Sequence, residues 1–110
     1  MEKKLEFKQT AHKDWQILSV IGRIDTFTAS EAEKVCAEFL KENEKIALDM
    51  SELNYISSAG LRVMLRLTKQ AKRDKKIVAF FAVPEKIMEV FEVSGVDMLI
   101  KIYNSVEELP

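Results

Sequence analysis

The chain has 110 residues, with 17 basic and 18 acidic side chains and a formal net charge of −1. That length suits one domain spanning residues 1–110, with a core that removes roughly 65% of the unfolded surface from water. The balanced charge lacks the basic excess that binding a phosphate backbone needs, and no window is apolar enough to cross a bilayer, so neither direct nucleic-acid binding nor membrane insertion is expected.

Lys4-Leu5-Glu6-Phe7-Lys8 alternates charged and apolar side chains and predicts an edge strand with one face on a core. The preceding Met1-Glu2-Lys3 and this alternation leave no apolar signal-peptide core, so a cytoplasmic location is expected. His12 falls in Thr10-Ala11-His12-Lys13-Asp14, which reads as a polar turn with the histidine in solvent. Trp15 to Ile21 is apolar on both faces and predicts a more central strand, antiparallel to the first across the short turn. Thr28-Ala29-Ser30-Glu31 has the spacing of a capping box, with Thr28 accepting from the Glu31 N–H and opening a helix from about Ala29 to Lys41. Cys36 shares the apolar face of that helix with Ala32, Val35, Phe39 and Leu40 and reads as a small core residue. A lone cysteine and a lone histidine form neither a disulfide nor a metal cluster, so no metal or other cofactor is expected.

Ile46-Ala47-Leu48 predicts a short buried strand with Asp49-Met50-Ser51 as its exit. A second helix, from about Gly60 to Lys72, turns Leu61, Met64, Leu65, Thr68 and Ala71 inward and Arg62, Arg66, Lys69 and Lys72 outward. Ile77 to Val83 is a continuous apolar run, typical of a strand covered on both faces. Pro84-Glu85 opens a third helix and Ser94-Gly95 closes it. Met98 to Tyr103 predicts a last strand, Ser105 to Glu108 a terminal helical turn, and Met64, Met88 and Met98 gap-filling positions in the core. The alternation gives an α/β fold with a mixed sheet of about five strands and about four helices, because each strand-helix-strand crossover makes a parallel pair.

Function on such sheets gathers in loops beyond the carboxyl ends of parallel strands. One of these holds Ile56-Ser57-Ser58-Ala59-Gly60-Leu61, with two hydroxyls and a glycine at a helix start, where free N–H groups and the helix dipole favour an anion. On the residues alone Ser58 is equally a cap or first-turn serine, Asp25 a plain turn residue, and Gly60 either a point of close approach for a partner or a relief of crowding. There is no glycine-rich phosphate loop, no histidine pair, and no histidine near either serine in sequence, so no enzymatic activity is expected.

The Ser57-Ser58 segment resembles the phosphorylation loop of STAS domains, the family of bacterial anti-anti-sigma factors, or anti-sigma factor antagonists. That loop runs aspartate, serine, serine or threonine, glycine, leucine, and its serine after the aspartate accepts phosphate. Laid on this chain, the pattern puts the acceptor at Ser58, with Ser57 in the aspartate's place as a rival acceptor and Ala59 in place of a small hydroxyl. Gly22-Arg23-Ile24-Asp25, followed by Thr26-Phe27-Thr28-Ala29, is similar to the family's loop into its first helix. The resemblance spans essentially the whole chain. It implies a STAS-type domain in which Asp25, Thr26, Ser57, Ser58, Ala59, Gly60 and Arg62 form one partner-binding surface, with Asp25 in a polar role beside the acceptor.

The resemblance further implies a cycle. The unmodified protein would bind an anti-sigma factor that is itself an ATP-dependent serine kinase, and so release a sigma factor. Phosphorylation of Ser58 would end that binding, and a metal-dependent serine phosphatase would restore it. Two other roles fit a STAS-type module: a binding or scaffold unit of a regulatory complex or lipid-transport assembly with structural serines, and a phosphoryl carrier in a metabolic relay.

Overall fold

The computed structural model describes residues 4–110. A hairpin opens it: β1 (Leu5–His12) lies antiparallel to β2 (Trp15–Ile24), with Leu5 opposite Gly22 and His12 opposite Trp15. There follow α1 (Ala29–Glu42), β3 (Lys45–Asp49), β4 (Leu53–Ile56), α2 (Ser58–Arg73), β5 (Ile77–Phe81) and α3 (Glu85–Ser94). A 3-10 turn at Val96–Met98, β6 (Ile102–Tyr103) and a second 3-10 turn at Val106–Glu108 complete the order. The sheet runs β1-β2-β3-β5-β6, parallel beyond the hairpin, with β4 attached to β2 alone.

β2 is long enough to take two parallel partners in succession. Gln16 to Ser19 pair with β3, and Gly22 to Ile24 pair with β4. Within the second pairing the register shifts between Gly22 and Arg23, with Asn54 of β4 as the extra residue, and Gly22 itself has a φ of +110° and a position where a Cβ would sit 2.2 Å from the Lys4 carbonyl oxygen. Only glycine suits that combination of left-handed backbone and close approach.

One face of the sheet carries Leu18, Val20, Ile24, Ile46, Leu48 and Phe80 under all three α-helices. Cys36 is there as expected, buried on α1 between Ala32 and Phe39. The other face, formed by Trp15, Ile17, Ala47, Ala79 and Phe81, is covered by the chain end through Leu109 and Val106. The Trp15 indole N–H donates to the Pro110 carbonyl at 2.9 Å.

Several expectations need correction. Within the mixed sheet that was expected, the described residues form six strands rather than about five, because the polar-looking Leu53-Asn54-Tyr55-Ile56 pairs with the end of β2. Among the described residues the α-helices are three, and the expected fourth is the single 3-10 turn at Val106–Glu108. β1 extends through Thr10 and Ala11 to His12, so the histidine belongs to a strand and is half-buried rather than solvated. Its Nε2 is buried without a hydrogen-bond partner among the described residues. β5 stops at Phe81, since Ala82 takes a φ of 57°. Met98 lies in a 3-10 turn and is 86% exposed, because the chain re-enters the sheet only at Ile102. Pro84 precedes α3 as its cap residue, and Gly95 ends that helix in the left-handed conformation.

Candidate functional site

β2 and β4 end side by side, with Ile24 opposite Ile56, and both chains leave the sheet at the same edge. The Ser57 N–H donates to the Ile24 carbonyl at 2.8 Å, which ties the second exit to the first. The Asp25 loop and the Ser57-Ser58 segment therefore adjoin.

Asp25 organises its own loop. Its Oδ1 accepts from the backbone N–H groups of Phe27 at 2.9 Å and Thr28 at 3.0 Å. Thr28 Oγ1 accepts from the Asp25 N–H at 2.9 Å and donates to the Arg23 carbonyl at 2.9 Å. This replaces the expected capping box: the Thr28 hydroxyl faces back toward Arg23 and Asp25, and Thr28 makes no side-chain cap bond to α1. The Asp25 carbonyl also accepts from the Ala29 N–H at 2.9 Å, so the loop runs into α1 as a continuous turn. Burial disfavours the Asp25 carboxylate, but the Thr28 and Phe27 N–H groups, the Thr28 hydroxyl and the Lys4 charge outweigh it and hold its pKa below the ordinary carboxylate value. Arg23 Nε lies 3.8 Å from Oδ2. The carboxylate is thus engaged with Phe27, Thr28 and Arg23.

α2 begins two residues earlier than its periodicity predicted. Ser57, extended at φ −92° and ψ 174°, is the cap residue, and its Oγ accepts from the Gly60 N–H at 3.3 Å. Ser58 is the first helical residue and is exposed, whereas Ser57 is half-buried. The first turn of α2 holds no acidic side chain, so its free N–H groups and dipole meet no built-in negative charge. Gly60 is buried, and a Cβ there would come within 2.6 Å of Ile56 Cγ1 and 2.8 Å of Ile24 Cγ2. Its small size serves the contact of the helix with the ends of β2 and β4 rather than the approach of a partner.

Thr26 and Arg62 are exposed, and Ala59 is half-buried against the core. Residues not singled out from sequence also face this surface. Phe27 is 85% exposed with Lys4 Nζ 5.7 Å from its ring centroid, and Tyr55 is 42% exposed under the Arg23 guanidinium at 4.4 Å. A phenylalanine inside the polar run Asp25-Thr26-Phe27-Thr28 was the available signal. His12 lies at the other end of β2, opposite Trp15, roughly 30 Å from the serines at ~3.3 Å per strand residue. No imidazole can act on their hydroxyls.

Among the described residues no group of three or more His, Cys, Asp or Glu side chains could hold a metal ion, and no helix is long and apolar enough to cross a membrane. Cys36 sits in the core, where burial pushes its thiol up to about 12.

BtrV of Bordetella bronchiseptica, assigned as an anti-sigma factor antagonist, is 33% identical over 87 residues, covering 78% of this chain and 75% of the relative. The anti-sigma-B factor antagonist of Listeria monocytogenes is 27% identical over 102 residues, covering 92% and 87%. A Thermotoga maritima crystal structure, likewise assigned as an anti-sigma factor antagonist, superposes with a TM-score of 0.83 at 27% identity, covering 93% of this chain and 89% of the other. Residues 6–109 match the family model described as STAS domain, and the chain belongs to that family.

Proposed function

We propose that this chain is a cytoplasmic anti-sigma factor antagonist that works by switching partners, with Ser58 as the switch. In the unmodified state it binds an anti-sigma factor that is also a serine kinase, and a sigma factor is released. Phosphorylation of Ser58 by that kinase ends the complex, and a serine phosphatase resets it. Asp25, Thr26, Ser57, Ser58, Ala59 and Arg62 belong to the docking surface, and Gly60, buried beneath it, seats the start of α2.

The observation that carries the reading is the difference between the two serines. The Ser57 hydroxyl is half-buried and engaged by the Gly60 N–H, while Ser58 is exposed at the first position of α2. A kinase needs the acceptor oxygen in solvent, and a phosphate there meets the free N–H groups of the helix start. The relatives that cover most of this chain under the antagonist name supply the class of partner.

The physical basis of the switch is charge. Phosphorylation adds about −1.5 to −2 charges to a surface that had docked as a neutral hydroxyl. Left desolvated and unpaired at an interface, that charge costs several kcal/mol, and each 1.4 kcal/mol is about tenfold in affinity. The chain is a substrate of regulatory enzymes and turns over no nucleotide itself, consistent with serines remote from its histidine.

The test is incubation with the serine-kinase anti-sigma factor and ATP, followed by mapping of phosphate by mass spectrometry in wild type, Ser58→Ala and Ser57→Ala. Phosphate should appear on Ser58 and vanish in Ser58→Ala. Undiminished labelling of Ser58→Ala would falsify the assignment of the acceptor.

A further inference from the structure

Where β2 and β4 end, next in sequence to the Asp25 loop and to Ser57, lies a group of side chains that the switch itself does not use. Phe27 is 85% exposed at the tip of the Asp25 loop, and Tyr55 is 42% exposed two residues before Ser57. Each ring has a cation near it: Lys4 Nζ 5.7 Å from the Phe27 centroid, and the Arg23 guanidinium 4.4 Å from that of Tyr55. The two pairs are joined, because the Arg23 N–H donates to the Lys4 carbonyl at 2.8 Å and Arg23 stands opposite Tyr55 in the β2–β4 register. Phe27, Lys4, Arg23 and Tyr55 are thus linked in one group where β2 and β4 end and the chain enters the Asp25 loop and Ser57.

An apolar ring left in water is unfavourable for the free chain, and the backbone that carries this one is held in place. The Phe27 N–H is bound to Asp25 Oδ1, and the loop is braced again by Thr28 on the Arg23 carbonyl. An aromatic on a braced loop leaves little backbone freedom to be lost on docking, which lowers the cost of burying its ring in a partner. The charge of the group is positive. Lys4 and Arg23 flank the rings against one carboxylate, Asp25, which pairs with Arg23, so the group keeps one positive charge in excess, and Arg62 lies one turn along α2 from Ser58. The formal net charge of −1 argues against a polyanion such as nucleic acid as the occupant.

We propose that Phe27, supported by Tyr55, is the anchor by which the unmodified chain docks, entering an apolar recess rimmed by carboxylates on the serine-kinase anti-sigma factor. The inference rests on the partner-switching reading. It assigns two separate determinants to one surface: Phe27 holds the complex together, Lys4 and Arg23 guide its formation, and Ser58 decides whether it is permitted. Charges of this kind act mainly on the association rate and are screened by salt.

The experiment titrates the purified serine-kinase anti-sigma factor with the wild-type chain, Phe27→Ala, Phe27→Leu, Arg23→Gln and Ser58→Glu at low and physiological ionic strength, with thermal unfolding of each variant. Wild type should bind and Ser58→Glu should not. Phe27→Ala should lose about tenfold or more in affinity with its unfolding midpoint unchanged, Phe27→Leu should fall between, and Arg23→Gln should slow association and flatten its salt dependence. A smaller loss in Phe27→Ala, with Ser58→Glu still unable to bind, overturns the anchor and leaves the switch standing. If Phe27→Ala unfolds early, Phe27→Leu decides: wild-type affinity in that variant overturns the anchor, and weakened affinity upholds it. Failure of the wild type to bind overturns both. Binding of a short single-stranded oligonucleotide more tightly than the kinase, lost in Phe27→Ala, also overturns the proposal by assigning the group to nucleic acid.

Discussion

Gly60→Ala tests whether the serines are held where they are by packing. The added Cβ would lie 2.6 Å from Ile56 Cγ1 and 2.8 Å from Ile24 Cγ2, well inside contact distance. Both isoleucines are buried, at 4% and 0% exposure, and β-branched side chains have little rotamer freedom with which to yield. Overpacking of this kind costs ~1–3 kcal/mol, against a helix-propensity gain for alanine over glycine of up to ~1 kcal/mol. The net expectation is a loss of about 1–2 kcal/mol. At about 4–8 °C per kcal/mol for a domain near this size, the unfolding midpoint should fall by roughly 4–16 °C. The cheapest relief is for the start of α2 to lift from β2 and β4, which carries Ser57 and Ser58 away from the Asp25 loop, so phosphorylation should also slow below the midpoint. Thermal and urea unfolding, with kinase labelling at 25 °C, measure both effects. A variant as stable as wild type, labelled at the same rate, would refute the claim that Gly60 seats the helix.

Ser57→Ala should cost ~0.5–1 kcal/mol in urea unfolding, the lower part of the range for a lost cap because its bond to Gly60 is long at 3.3 Å, whereas Ser58→Ala should stay within ~0.5 kcal/mol of wild type. Equal losses would contradict the division of labour between the two hydroxyls. Phosphorylated Ser58 should leave the midpoint unchanged or slightly raised, since an anion in a first turn without acids gains ~0.3–1 kcal/mol from the helix start; a large drop would mean that the switch acts by disrupting the fold. Asp25 titrates below its ordinary value in the folded chain, so its contribution to stability is present above that value and lost as pH falls through the lower folded pKa. Asp25→Asn should therefore remove part of the acid sensitivity, and a carboxyl seen by NMR to titrate at or above the ordinary value would contradict the loop network.

Much of the fold was legible because it depends on neighbours in sequence. The 3.6-residue spacing of Ala32, Cys36, Phe39 and Leu40 defined α1, that of Leu61, Met64 and Ala71 defined α2, and Gly95 marked the end of α3. The paired segments around Asp25 and Ser58 also stood out, through local motifs and family likeness. What escaped was decided by contacts between distant segments. β4 exists because β2 runs on past its pairing with β3 and offers a free edge from Gly22 to Ile24, which nothing within Leu53 to Ile56 records. The capping box at Thr28 gave way because the Arg23 carbonyl and Asp25 N–H, positioned by the end of β2, claim the same hydroxyl.

Met98 illustrates the same limit. Its apolar side chain carries no information about whether a strand has room to form beside β5, and the pairing begins only at Ile102, leaving the methionine in solvent. The choice between Ser57 and Ser58 is similar, since two adjacent serines before a helix are nearly equivalent as sequence. They become different only when Gly60 settles against Ile24 and Ile56, which sets where α2 begins, engages one hydroxyl as the cap and leaves the other exposed. Local periodicity specifies elements because each residue's burial follows from its own helix or strand, whereas exposure at a loop depends on which remote surfaces close over it.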